Sequence, residues 1–323
     1  MSYGTELNFE VQTYGKKHWH QICGYPRWGI ALSYLHSGND AEMGSCIAVL
    51  PNITVDFFKS AKIRIFGRLG VGLGVVTKPY NRLYNPKNNM VGSYLNNSTT
   101  LRVGMAWRIS KHLELRPSAT FTHFSNAAST LPNLGINIPS FQIGICYMYD
   151  PVESTDYLKK DKESLSKRDK RVQFSHLVSM GYRSVKTSNG PKFLVWHTSF
   201  DAGLYLNRSN RLKIGIEYDY IGATQVFATH SSGQNTPQRY WDASRISLFL
   251  ADEIMLGRFA ILAQLGFYLT QNPGQPWFMS IRLSGRYYLR DPYLNKAAPF
   301  LTITMKSHKI VAEYFSMGLG MSF

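Results

Sequence analysis

RLKIGIEYDY, residues 211–220, alternates without a break: Leu212, Ile214, Ile216, Tyr218 and Tyr220 are apolar or aromatic, and Arg211, Lys213, Glu217 and Asp219 stand between them. Successive side chains of a β-strand point to opposite faces, so this run is a strand with one greasy and one charged face. The same period extends outward in both directions. Leu7, Phe9 and Val11 alternate with Asn8, Glu10 and Gln12, and Trp28, Ile30, Leu32 and Tyr34 alternate with small residues. Ile63, Ile65, Leu69, Val71, Leu73 and Val75 alternate with Arg64, Phe66, Arg68 and glycines 70, 72 and 74, and the pattern continues over Leu101–Ile109. Between Trp277 and Leu289 the odd positions are mostly apolar, with Arg282, Arg286 and Arg290 on the other face. About fifteen such strands and no helix are expected.

Two all-β architectures produce this alternation, a soluble sandwich with one wet face and a transmembrane barrel whose apolar face meets lipid. Strands of roughly ten residues suit a tilted crossing of the hydrocarbon layer. Aromatic residues gather near strand ends (Trp28, Tyr147, Tyr149, Trp241, Trp277, Tyr287, Tyr288), where barrels carry interfacial girdles. Arg64, Arg68, Lys213, Glu217 and Asp219 sit mid-strand on the second face, as a wet lumen allows. In the last segment, Val311, Phe315, Met317, Leu319, Met321 and the terminal Phe323 share one parity, and this resembles the outer-membrane assembly signal. The expected fold is all-β, a transmembrane antiparallel β-barrel of about 14–16 strands, with two tandem units of about eight strands as the alternative. Mid-strand charges favour the single wide barrel.

Composition decides what the chain faces. Thirty-six Lys and Arg against twenty Asp and Glu in 323 residues give a formal net charge of +16, which implies an anionic partner. No helix-turn-helix, zinc-finger spacing or Arg-rich helix is present to take nucleic acid, so a lipid or lipopolysaccharide surface is the expected partner. Cys23, Cys46 and Cys146 are odd in number and far apart, which fits neither a disulfide scaffold nor a zinc site. His18 and His20 flank Trp19, but no carboxylate or Cys completes a metal site, and an interfacial belt is the better reading. The alternating glycines 70, 72 and 74 precede no helix, so they let strands pack or curve instead of cradling a phosphate. No cofactor is suggested.

Asp150–Arg171, DPVESTDYLKKDKESLSKRDKR, is dense in charge and reads as a periplasmic linker. It divides residues 1–150, a barrel half, from residues 172–323, a second half ending in the aromatic strand. Barrels of this kind have short periplasmic turns and long external loops. Thr77–Asn97 and Thr224–Tyr240 are long and polar and go outside; Lys59–Ala61, Ser110–Lys111, Asn207–Arg208 and Gly257 are short and go inside. The first strand, Tyr3–Thr13, then runs inward from an external N-terminus, and an upstream strand and a signal peptide are expected to be missing from this sequence. Gly15–Tyr25 is long for a periplasmic turn.

One segment carries chemistry. In a strand from Leu113 to Ser125, His123 and Ser125 share the face of Leu115, Ala119 and Phe121, at outer-leaflet depth and toward lipid. After a Pro/Gly turn, Asn137 shares the parity of Phe141, Ile143, Ile145 and Tyr147. A lipid-facing strand penalises polar side chains that lack a partner, so polar groups grouped there call for a reason.

His123-Phe124-Ser125-Asn126-Ala127, followed by Leu131-Pro132-Asn133-Leu134-Gly135-Ile136, resembles the H-x-S-N-A … P-N-x-G-I signature of PagL-type lipid A 3-O-deacylases, an acyloxyacyl hydrolase-like outer-membrane family. The resemblance covers about Leu101–Tyr149; the second half has no counterpart in the short enzymes. It implies a serine esterase in the bacterial outer membrane, acting on acyl esters of lipid A or lipopolysaccharide, with Ser125 as nucleophile and His123 as general base. Asn126 and Asn133 are the candidate oxyanion donors. The family carries a Glu where this chain has Asn137 and a Gly where it has Ala128. Two further readings remain: a phospholipase-like esterase using the same pair, and a noncatalytic channel or scaffold that keeps the motif.

Overall fold

The computed structural model describes residues 2–151, 153, 156–158, 171–184, 188, 190–226, 239–270, 277–309 and 311–323. Alternation becomes fifteen strands in two compact units. The first unit is a curled antiparallel meander of β1 (Tyr3–Gln12), β2 (Arg27–His36), β3 (Ser45–Lys59), β4 (Ile63–Val76), β5 (Leu95–Arg108), β6 (Leu113–Ser125) and β7 (Ile136–Tyr147). Each strand pairs with the next, and the seven-stranded sheet is open between β1 and β7. The second unit is a closed barrel of β8 (Val172–Ser184), β9 (Lys192–Asn207), β10 (Asn210–Ile221), β11 (Ser244–Leu256), β12 (Phe259–Tyr268), β13 (Met279–Tyr288), β14 (Ala298–His308) and β15 (Val311–Ser322). It closes where β15 pairs with β8, from Phe315↔Tyr182 to Ser322↔Ser175.

Outward residues such as Phe9, Ile30, Leu73, Val103, Phe141, Ile214, Leu250, Ile303 and Leu319 are exposed along both walls. Apolar walls of this extent are what a bilayer's hydrocarbon covers, and the architecture is a transmembrane antiparallel β-barrel. No helix among the described residues is long and apolar enough to cross a membrane. The short helix α1 (His18–Ile22) is a departure from the helix-free reading. It accounts for the length of the Gly15–Tyr25 connection. Both the charged segment Asp150–Arg171 and the loop Thr224–Tyr240 fall largely outside the described residues.

Of the two expected arrangements, the chain takes the tandem one, with seven strands in the first unit and eight in the second. Mid-strand charge suggested a wide lumen because isolated ions need water. These ions neutralise each other instead. In the second unit Asp219 accepts from Arg282 Nη2 at 2.7 Å, His197 Nδ1 at 2.9 Å and the Tyr314 hydroxyl at 2.6 Å, and it also pairs with Lys306. Glu217 accepts from Arg282 Nε at 2.8 Å and Gln264 at 2.6 Å, and Glu253 from Arg211 Nε at 2.9 Å and the Tyr288 hydroxyl at 2.8 Å. Arg211, Glu217, Asp219, Glu253 and Lys306 are buried. An eight-stranded interior is just wide enough for side chains to fill, and here paired charges fill it. The first unit repeats the device with Glu6 between Arg68 and Arg102, and Glu10 against Arg27 and Arg116.

In the meander, residues 37–44, 77–94 and 126–135 connect strands at one end, and residues 13–26, 60–62 and 109–112 at the other. The apolar core of the first unit lies at the former end. It holds Ala31, Leu35, Cys46, Ala48, Leu50, Val76, Val91, Phe124 and Ile136. Gly74 makes room for it: a Cβ there would lie 2.5 Å from Phe124 Cε1.

Candidate active site

Phe124 and Ile136 point into that core and are buried at 0% and 2% exposure. Because strand side chains alternate, burying these two turns their neighbours His123 and Asn137 to the outer wall. Register then sets them side by side, His123↔Asn137 across β6–β7 and Thr99↔His123 across β5–β6. His123 Nδ1 and Asn137 Oδ1 are 2.7 Å apart. An amide oxygen only accepts, so Nδ1 carries a proton, and in the neutral ring Nε2 holds the lone pair. That is the tautomer a general base needs. Among the described residues no carboxylate is hydrogen-bonded to His123.

Ser125 departs from the expected placement. It ends β6 at only 6% exposure, so it does not stand open on the lipid wall. The strand passes into the turn at this point, which takes Ser125 off the open surface. Among the described residues no hydrogen bond joins its hydroxyl to His123. The asparagines of the turn are partly committed. The Asn126 amide N–H donates to Asn133 Oδ1 at 2.9 Å and the Asn126 side chain donates to Ser93 Oγ at 2.8 Å. Asn133, whose Oδ1 is the accepting atom, has its side-chain NH₂ as a donor.

Two polar residues of the patch were hidden in the sequence. Asn97 lies opposite Ser125 and Thr99 opposite His123. Thr99 Oγ1 donates to Asn97 Oδ1 at 2.9 Å, and Asn97 Nδ2 to the Gly72 carbonyl at 3.2 Å. The sequence reading ends the polar loop at Asn97, whereas β5 already begins at Leu95. Their parity with Leu101 and Val103 was the available signal. One row further along the strands the pairs are Leu101↔Phe121 and Phe121↔Pro139, so the polar patch stops there.

The turn that follows Ser125 is strained. Ala127 and Ala128 have φ of 50° and 60°, in the left-handed region where a Cβ crowds the carbonyl. Ala128 is the residue at which the sequence resemblance implies Gly. Ala128→Gly is expected to stabilise the protein by about 1 kcal/mol, and thermal unfolding in detergent would check it; a lowered Tm would count against strain at this residue. Among the described residues no group of three His, Cys, Asp or Glu side chains converges to hold a metal ion.

Residues 3–145 match the family model of lipid A 3-O-deacylase (PagL), and residues 172–323 match that of the acyloxyacyl hydrolase C-terminal domain. No curated protein matches the sequence. Solved structures similar to the chain include the alcaligin outer membrane receptor FauA from Bordetella pertussis, at 9% identity and a TM-score of 0.25, over 100% of this chain and 61% of that one. The FrpB iron transporter from Neisseria meningitidis is 7% identical at a TM-score of 0.21, over 99% and 64%. The toluene transporter TodX of Pseudomonas putida is 6% identical at 0.19, over 99% and 87%. This chain spans under two thirds of the length of the first two. Superpositions this loose carry no argument about it.

Proposed function

Since this chain belongs to the PagL-type lipid A 3-O-deacylase and acyloxyacyl hydrolase family, matched over residues 3–145 and 172–323, we propose that it is a serine esterase of the bacterial outer membrane that removes an ester-linked acyl chain from lipid A or lipopolysaccharide. The observation that carries the reading is the 2.7 Å hydrogen bond from His123 Nδ1–H to Asn137 Oδ1, which leaves Nε2 as the base. Ser125 Oγ attacks the ester carbonyl carbon while its proton passes to Nε2. The tetrahedral oxyanion takes hydrogen bonds from the Asn133 side-chain amide. As the C–O bond breaks, the imidazolium returns its proton to the sugar oxygen that leaves. Water, deprotonated by the same nitrogen, then releases the fatty acid from Ser125.

Substrate and site meet within the membrane. Lipid A diffuses laterally to the outer wall, where Thr99, His123 and Asn137 form a polar row above the apolar girdle, and a net charge of +16 favours its phosphates. Mass spectrometry of lipid A incubated with the purified wild type and with Ser125→Ala tests the proposal. The expected result is loss of one ester-linked chain with the wild type only. No loss with either protein would favour the noncatalytic barrel, a reading supported by the buried Ser125 and the missing acid. Cleavage of glycerophospholipid and not lipid A would favour the phospholipase.

A further inference from the structure

The imidazole of His123 is held on two sides, and only one of them is a hydrogen bond. Gly135, the last residue before β7, is buried and has φ of 81°. Its N–H donates to the Met90 carbonyl at 2.9 Å, which ties it to the neighbouring loop. A Cβ on Gly135 would lie 2.5 Å from His123 Cε1 and 3.3 Å from His123 Nδ1. Carbon atoms in contact rest about 3.5–4.0 Å apart. The Cε1 edge of the ring therefore occupies space that a side chain at residue 135 would fill.

We propose that Gly135 is a positioning residue for His123: the missing side chain forms the slot in which the imidazole stands, and Asn137 fixes the ring's rotation within it. The backbone cannot yield easily, because Phe124 beside His123 is fully buried in the core and Gly135 is bonded to Met90. A side chain at 135 thus drives the ring outward by about 1 Å, taking Nδ1 from Asn137 and Nε2 from the path of the serine proton. Misplacement of about 1 Å costs about 10²-fold in rate. The kinetic consequence rests on the esterase reading; the steric one does not.

The test compares Gly135→Ala with Gly24→Ala. Gly24 has a similar φ of 70°, but a Cβ there meets nothing within 4 Å, so it carries the backbone penalty without the clash. In lipid A deacylation, Gly135→Ala is expected to lower kcat about 10²-fold with KM unchanged, and Gly24→Ala to leave both unchanged. Thermal unfolding supplies a readout free of activity. The Tm lost on Gly135→Ala should exceed that on Gly24→Ala, and most of the excess should vanish when Gly135→Ala is made in a His123→Ala background, where no ring is left to strike. An equal Tm loss in both backgrounds, or a kcat unchanged by Gly135→Ala in an active enzyme, would overturn the assignment. If the wild type does not deacylate lipid A, the esterase reading fails, and the paired Tm measurements still decide whether Gly135 positions the ring.

Discussion

Asn137→Asp is expected to raise the rate of lipid A deacylation by about 10³-fold. In a Ser-His-Asp triad the acid does two things: it holds the imidazole in the right tautomer, and its charge stabilises the imidazolium that forms. Removing both, by an acid-to-amide change, costs about 10⁴-fold. Here the first is already supplied, because Asn137 Oδ1 accepts the Nδ1 proton at 2.7 Å. What is missing is the charge. Two unit charges about 4 Å apart at an effective dielectric of about 20 attract by about 4 kcal/mol, which is about 10³-fold in rate. Aspartate is the isosteric replacement, so it keeps the observed geometry; near the interface a carboxylate on the lipid face costs only about 0–1 kcal/mol. Initial rates of fatty acid release would check it, with Ser125→Ala in the same background abolishing the gain. An unchanged rate would count against His123 as the base.

The second large effect concerns stability. Asp219→Asn is expected to destabilise the second barrel by about 3–5 kcal/mol. Asp219 is the common acceptor of Arg282, His197, Tyr314 and Lys306, all buried. Neutralising it leaves Arg282 and Lys306 to share Glu217, one cation in excess in a space without bulk water, and uncompensated buried charge is what makes a broken pair costly. The double change Asp219→Asn with Lys306→Met should recover part of the loss, since it removes the cation in excess and leaves Arg282 paired with Glu217. Denaturant unfolding in detergent would measure both. A loss below about 1 kcal/mol, the range of surface pairs, would mean that water reaches the lumen.

Much of this was legible in the chain itself. Residues 211–220 are enough to show a strand with a charged inner face, and parity alone places His123 and Asn137 on one wall. The Asn97 row was not legible, because a strand's beginning inside a polar stretch has no local mark once its outward residues are themselves polar. The burial of Ser125 was likewise invisible, since parity describes a strand and Ser125 is where β6 stops being one.

By itself, then, the sequence determined which residues face lipid and which face inward, because side-chain alternation is a property of one strand and needs no partner. Only the tertiary structure decided that β15 closes onto β8 and leaves β1–β7 as a separate curled sheet. Closure depends on pairing between strands more than a hundred residues apart, and any of several registers satisfies the same alternation. The charges that argued for one wide lumen turned out to fit a narrow one, since whether a buried ion needs water or has a partner is settled only when the strands that carry the two charges are brought together.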